Sequence, residues 1–381
     1  MLVFIHHYLP GFEAGGALRS LANMVELLGD EFDFHIVTSN HDLLDRKPYP
    51  GVLFNRWVPV GKARVWYCSG GLSGAWSLFK ELRKFNKAPV YLNSLFDPAF
   101  SLVPLMLAKL GVFKGPVIVG PRGELSPGAL QLKSAKKRVF LKLSQTLRLY
   151  KDVVWHASTQ LEKQDIVKIF PDGRASLQVH VACDLVTHSA SDRGKEGGNR
   201  DVVFLSRISR KKNLDFALKA LSLCQEPAVF HIYGTIEDAG YWDECKTLIA
   251  GLPSHVKVVF HGALAPAQVP DALASHGLFF FPTRGENYGH VIAEALAAGL
   301  PVLLSDRTPW YDVVDGGAGW VLTLDNVGGF AYAIDGFMRM SSEEHRRLSA
   351  DVRAFAAKRI CRPEDVDDSR RLFTEVTEGL Q

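Results

Sequence analysis

Short apolar runs alternate with amphipathic stretches along almost the whole chain. Residues 1–5 form a continuous apolar run of strand length, as in a parallel strand buried on both faces. A glycine-containing loop follows and ends at Gly15-Gly16. Apolar residues then recur at Leu18, Leu21, Ala22, Val25 and Leu28 with helical period, which predicts a helix over 17–28. Residues 34–38, 90–93 and 117–120 are further predicted strands, the last two each followed by a polar loop and a helical stretch. Residues 185–200 (LVTHSASDRGKEGGNR) lose the apolar period and gather Gly, Ser and charge, as a linker does. The pattern then restarts, with strands predicted over 201–206, 229–233, 256–260, 278–281 and 301–305. Helices are predicted over 213–223 and 288–298, the second stopped by Gly299 as a C-cap. A last helix is predicted over 363–378.

Strands alternating with helices imply βαβ units and parallel sheets. The expected fold is α/β, with two Rossmann-like domains over 1–184 and 201–362. The final segment 363–381 is expected to cross back onto the first domain. Parallel sheets place ligand sites at the C-terminal ends of their strands, so two such edges facing across a cleft would make the active site. A length of 381 residues suits two cores better than one.

Composition narrows the class further. With 47% hydrophobic and 22% charged residues and no low-complexity tract, the chain reads as globular. It enters a strand at once, so no secretory leader is expected, and no apolar run approaches the roughly 20 residues that span a bilayer. The five cysteines are odd in number and scattered, matching neither a disulfide framework nor a zinc set, and a cytoplasmic location is expected. The net charge of +3 hides an asymmetry. Residues 1–184 hold 23 Lys+Arg against 15 Asp+Glu, and the rest hold 21 against 26, so an anionic partner is expected on the first half.

Two segments carry the candidate chemistry. In Phe281-Pro-Thr-Arg-Gly-Glu-Asn-Tyr-Gly-His, a buried strand ends, a loop follows and a helix begins near Tyr288. Amides at a helix start attract phosphate or sugar oxygens. Glu286 in the loop and Glu294, eight positions on in an otherwise apolar helix, could each accept hydrogen bonds from ligand hydroxyls. A charge among Ile292, Ala293, Ala295 and Leu296 needs a partner. The second segment, Phe204-Leu-Ser-Arg-Ile-Ser-Arg-Lys-Lys-Asn-Leu, places Arg207, Arg210, Lys211 and Lys212 between a strand and a helix, a setting suited to a diphosphate.

These motifs resemble the retaining glycosyltransferases of the family-4 type with the GT-B fold, a group that includes many bacterial polysaccharide and lipid-glycan enzymes. Glu286 and Glu294 meet its E-x7-E pair. Arg207, Ile208 and Lys212 meet its G-R-L-x3-K-G pattern, with Ser206 and Asn213 standing where the glycines would be. Ala297-Ala298-Gly299-Leu300-Pro301-Val302 meets its A-x-G-x-P-V ending. The resemblance implies a hexosyltransferase that moves sugar from a UDP- or GDP-type donor to a glycan or polyprenyl-linked acceptor, in surface polysaccharide or lipopolysaccharide assembly. It implies no cofactor and no metal. Arg207 and Lys212 would clamp the donor diphosphate and offset charge on the leaving group. Glu286 and the amides of Asn287, Tyr288 and Gly289 would hold the donor sugar and phosphate, Glu294 the ribose, and Gly16 would allow close backbone approach. The leaving phosphate can itself take the acceptor's proton, so no base is assigned.

One departure stands out. Relatives of this type often carry a histidine after the strand at 117–119, where this chain has Gly120-Pro-Arg-Gly-Glu. Arg122 cannot be a base at neutral pH. It and Glu124 are either acceptor or phosphate contacts or parts of a structural turn. The tract 132–151 (LKSAKKRVFLKLSQTLRLYK) holds seven basic residues and no acid, with apolar residues at Leu132, Val139, Phe140, Leu143, Leu147 and Tyr150. It is either a core-packing helix or a peripheral anchor on an anionic membrane at the inner face.

Three rival classes fit the motifs less well. A nucleotide-dependent oxidoreductase would need G-x-G-x-x-G after the first strand, which Gly11, Gly15 and Gly16 do not form. A sugar-nucleotide epimerase would share the donor site, and a non-catalytic subunit would not need Arg207, Lys212, Glu286 and Glu294 together. No nucleic-acid-reading module is visible.

Overall fold

The apolar runs become two parallel sheets. The computed structural model describes residues 1–43, 45, 47–131, 134–170, 178–186, 199–360 and 362–378. Residues 187–198 of the predicted linker, and Leu132 and Lys133 of the basic tract, lie outside the described residues. The chain divides into two units, one of Met1–Thr187 with Pro363–Gln381, the other of His188–Arg362.

The first unit contains β1 (Leu2–Phe4), β2 (Phe34–Ser39), β3 (Trp57–Val60), β4 (Ala63–Cys68), β5 (Val90–Leu92), β6 (Val117–Val119), β7 (Val154–Ala157) and β8 (Gln178–Val181). Their order in the sheet is β3-β4-β2-β1-β5-β6-β7-β8. All pairs are parallel except β3 with β4. That antiparallel hairpin, turning at Gly61-Lys62, was not anticipated from the sequence. Pro59 suits its edge strand, where a missing N–H breaks no ladder. The second unit contains β9 (Val202–Leu205), β10 (Ala228–Tyr233), β11 (Val256–Gly262), β12 (Leu278–Phe281), β13 (Val302–Ser305) and β14 (Gly319–Leu322), all parallel in the order β11-β10-β9-β12-β13-β14. Both units are Rossmann-like.

Strands buried on both faces explain the unbroken apolar runs, and Leu278, Phe279, Phe280 and Phe281 are all fully inaccessible. The helix at His290–Ala297 ends as the sequence implied. Gly299 takes φ 77°, its N–H donates to Leu296 O, and Leu300 N–H donates to Ala295 O, which completes a Schellman cap. The last helix, Pro363–Glu378, belongs to the first unit, where the Phe373 ring packs against Phe32, Phe34 and Tyr91 at 5.5, 6.1 and 6.0 Å.

A polar network crosses the interior of the first unit. Tyr91 OH accepts from Arg122 and donates to His156 Nδ1 (2.7 Å), while His156 Nε2 donates to Ala182 O (2.9 Å). Burial, reinforced by the Arg122 charge, pushes the His156 pKa down to about 3. The unfolded chain binds this proton below about pH 6.5. The stability that His156 contributes is therefore complete above about 6.5 and is lost as pH falls toward 3, at about 1.4 kcal/mol per pH unit. Urea unfolding of the first unit should be weaker by about 2–3 kcal/mol at pH 4.5 than at pH 7.5 through this residue. His156→Gln should flatten that slope. Equal slopes in wild type and variant would refute the assignment.

Candidate functional site

At the centre of the second sheet, β9 has β10 on one side and β12 on the other. Chain direction across the sheet reverses there, and in open α/β sheets ligands bind at that switch point beyond the strands' C-terminal ends. The loop 206–213 after β9 and the loop 282–289 after β12 meet at this edge. They are stitched together by main chain and side chain. Arg284 N–H donates to Lys211 O (2.9 Å), Asn213 Nδ2 donates to Pro282 O (2.8 Å), and Arg284 Nε donates to Asn213 Oδ1 (2.8 Å).

The two predicted catalytic charges meet here. Lys212 Nζ lies 2.5 Å from Glu286 Oε1, and both side chains are close to nine-tenths buried. Thr283 Oγ1 also donates to Glu286 Oε1 (3.2 Å), and Lys212 Nζ stands 5.4 Å from the centre of the Phe281 ring. Burial pushes the Glu286 carboxyl up, but the Lys212 and Lys211 charges outweigh it, and its pKa lies below the ordinary carboxylate value. The site therefore keeps a fixed anion and a fixed cation in contact at neutral pH.

Other predicted residues are placed differently. Arg207 pairs with Glu237 at 3.0 Å, both side chains about one-third exposed. Such a pair is worth at most about 1 kcal/mol and is open to exchange with a phosphate. Arg210 is turned away, held by Glu244 (2.5 and 3.0 Å) with its guanidinium 5.1 Å from the Tyr241 ring. The helix after β12 starts at His290, two residues later than predicted. Glu286 thus lies wholly in the loop and Glu294 in the second turn of the helix, half-buried. Gly289 is the N-cap at φ 86°, a conformation strained for any side chain, and a Cβ there would also meet Ile292 at 2.8 Å. The Tyr288 side chain is buried, and its carbonyl accepts from Trp310 Nε1 (2.6 Å).

In the first unit, three expectations change. Gly16 is the first residue of the helix Gly16–Leu28, and the positive φ (78°) belongs to Gly15, its N-cap. Arg122 is a buried pillar, its side chain 5% exposed. It ion-pairs with Asp184 and donates to Asn93 Oδ1 (2.7 Å), Tyr91 OH (2.6 Å) and Ser158 Oγ (3.3 Å). Four of its five N–H donors are spent inside the protein, which favours the structural turn over an acceptor or phosphate contact. Glu124 is likewise structural. It accepts from Ser94 Oγ (3.0 Å), Leu95 N–H (2.6 Å) and Phe96 N–H (3.2 Å), and burial raises its pKa in spite of these bonds.

A pair that the sequence left unassigned lies at the end of β1. His6 Nδ1 is 2.5 Å from Asp97 Oδ2, with the imidazole 45% exposed and the carboxylate nearly buried. Asp97 also accepts from Ala99 and Phe100 N–H (2.9 and 2.7 Å). Burial raises the Asp97 pKa, and the bonds from His6 and Phe100 bring it below the usual value. An imidazole held this way can take a proton from a hydroxyl. The signal was only the His6-His7 position at a strand end. A groove of about 920 Å³ in the first unit, lined by Phe113, Pro116, Lys151 and Gln178 among others, lies at the N-terminal ends of β6 to β8.

The fold and this edge can be set beside known proteins. Residues 188–355 match the family model of glycosyl transferases group 1. The second unit thus carries a glycosyltransferase group 1 domain. A phosphatidyl-myo-inositol mannosyltransferase of Mycolicibacterium smegmatis is 30% identical over 170 residues, 43% of this chain and 41% of that protein. An alpha-1,3/1,6-mannosyltransferase of Neurospora crassa is 27% identical over 208 residues, 45% and 44% of the two chains. The alignments span less than half the length of the curated relatives matched. Anabaena HepE, solved in complex with UDP-glucose, superposes with a TM-score of 0.70 at 18% identity over 100% of this chain and 98% of that one. The fold is that of GT-B glycosyltransferases.

Proposed function

We propose that the protein is a retaining glycosyltransferase that moves a hexose-type sugar from a UDP- or GDP-linked donor to a glycan or polyprenyl-linked acceptor, without a metal. The observation that carries this reading is the Lys212–Glu286 contact, formed by loops from adjacent strands at the switch point of the group 1 domain. Lys212 and Arg207 hold the donor diphosphate and offset the negative charge that grows on it as the glycosidic bond breaks. Glu286 orients Lys212 and, with the backbone of Asn287, Tyr288 and Gly289, receives the sugar and phosphate. Glu294 takes the ribose hydroxyls. The acceptor is proposed to lie at the C-terminal edge of the first sheet, where Gly15-Gly16 and the His6–Asp97 pair are placed. HepE, whose complex contains UDP-glucose, supports the donor class by analogy of fold.

A panel of UDP-, GDP- and ADP-sugars without added metal tests this by thermal unfolding. A ligand at about 100 times its Kd stabilises the folded protein by about 2.7 kcal/mol. A shift with one nucleotide class is expected, and no shift with any of them would remove the donor assignment.

The setting proposed is the inner face of a bacterial membrane, in surface polysaccharide assembly. The helix Ser134–Thr146 supports it. Val139, Leu143 and Leu147, four residues apart, are 67%, 55% and 65% exposed, and Lys136, Arg138, Lys142 and Arg148 around them are exposed too. Leu141 and Ser144 face the core instead. A second exposed row, Val103, Met106 and Leu110, runs along the helix Val103–Lys109 and its end, and Lys109 Nζ donates to Lys151 O (2.5 Å) at the end of the basic tract. Apolar rows framed by lysine and arginine suit an anionic lipid surface. No helix among the described residues is long and apolar enough to cross a membrane. Co-sedimentation with phosphatidylglycerol vesicles at low salt is expected, and the double substitution Leu143→Glu/Leu147→Glu should abolish it. Equal pelleting with pure phosphatidylcholine, or by the double variant, would refute docking.

A further inference from the structure

The sequence contains no metal-ligand spacing, yet the second sheet gathers histidines that the transferase reading does not use. Asp201, His231 and His276 each offer a ligand atom, and these atoms lie within 4.8 Å of one another. We propose that these three residues bind one Zn2+-class divalent cation, at a site separate from the donor loops.

The cluster is preorganised by its surroundings. Asp201 immediately precedes β9, and its carbonyl accepts from Gly277 and Leu278 N–H (2.8 and 3.2 Å), next to His276. Asn199 Nδ2 donates to Ser275 O, so the strand entry at 199–201 and the segment 275–278 are bound side by side. A Cβ on Gly277 would stand 2.2 Å from Asn199 O, so this approach requires glycine. His231 lies on β10 opposite Val203 of β9, and its Nε2 faces Asp201 Oδ2 at 3.5 Å, longer than a good hydrogen bond. A tetrahedral zinc with bonds of about 2.0–2.1 Å holds its ligand atoms about 3.3–3.5 Å apart, a spacing this pair already has.

The outer contacts orient the rings as ligating histidines require. His261 Nε2 lies 2.8 Å from His231 Nδ1, and the two rings are stacked. With Nδ1–H donated to His261, the lone pair of His231 Nε2 is left for the cation. Tyr233 stacks on His261 at 4.3 Å, and its hydroxyl lies 3.3 Å from His276 Nε2. Such outer partners are a regular part of metal sites. His276 is buried and His231 mostly so, and water completes the coordination. The donor loop follows the other end of β9, a strand of four residues and therefore about 13 Å long.

The test uses the full-length protein stripped of metal by chelator. Zn2+ is titrated against a chromophoric competitor, and Co2+ is followed by its visible absorption. One equivalent of Zn2+ bound at micromolar or better affinity, with a rise in melting temperature, is the expected result. Asp201→Asn and His231→Gln should each lower the affinity by about tenfold or more, with unchanged circular dichroism and an unchanged response to nucleotide sugars. The proposal is overturned if the wild type binds no stoichiometric Zn2+, or if both variants bind it as the wild type does. Neither result bears on the donor panel, so this site and the transferase reading stand or fall separately.

Discussion

Lys212→Ala should lower kcat/KM for sugar transfer by about 10²–10³-fold, the usual cost of deleting one fixed group aimed at transition-state charge, about 2.7–4 kcal/mol. The loss should fall on kcat more than on KM, because the diphosphate gains negative charge only as the sugar leaves. Lys212 has a second role that the sequence did not disclose. It neutralises Glu286, whose carboxylate is nearly buried beside Thr283. Removing it leaves that charge without its partner, and breaking a buried pair costs up to about 3–5 kcal/mol. Lys211 also lowers the Glu286 pKa, and the true cost should be at the low end of that range. The double variant Lys212→Ala/Glu286→Gln separates the two roles. It should regain most of the lost melting temperature and none of the activity. A Lys212→Ala enzyme within threefold of wild type would remove Lys212 from the chemistry.

Arg122→Ala should have the largest effect on stability. The substitution strips Asp184 of its ion-pair partner and leaves Asn93, Tyr91 and Ser158 with unmet hydrogen bonds, all within the first unit. About 3–5 kcal/mol is expected, which for a unit of this size lowers its melting temperature by about 6–20 °C. Asp184→Asn should behave alike, and the second unit should keep its response to nucleotide sugars. Differential scanning calorimetry with and without donor sugar reads both. Unaltered melting together with lost acceptor turnover would return Arg122 to the role of a ligand contact.

These two residues mark where the sequence was legible. Lys212 and Glu286 were readable because each sits in a local strand–loop–helix passage with its own pattern of glycine, charge and apolar period. Their contact was not readable. They are 74 residues apart, and β10 and β11 lie between their strands in sequence while β12 lies beside β9 in the sheet. Arg122 and Glu124 occupy an equally suggestive loop, yet their side chains turn inward, because Asp184, Asn93 and the amides of Leu95 and Phe96 supply partners that no local pattern encodes. The basic tract repeats the lesson. Its helical period was visible, but Val139, Leu143 and Leu147 were grouped with Phe140 and Tyr150 as one stripe. Packing split them, sending Phe140 against Phe96 at 5.5 Å and Tyr150 into the core, and leaving the other three outside.

By itself the sequence determined nine of the fourteen described strands, the alternation that makes two parallel sheets, and the two loops that hold the candidate donor chemistry. Each of these follows from hydrophobic period and loop composition within some twenty residues. Only the tertiary structure decided which charges meet, which polar groups are spent on the interior, and which histidines gather around Asp201. Those outcomes depend on strand order and burial, where a polar side chain must take whatever partner the neighbouring strands bring to it.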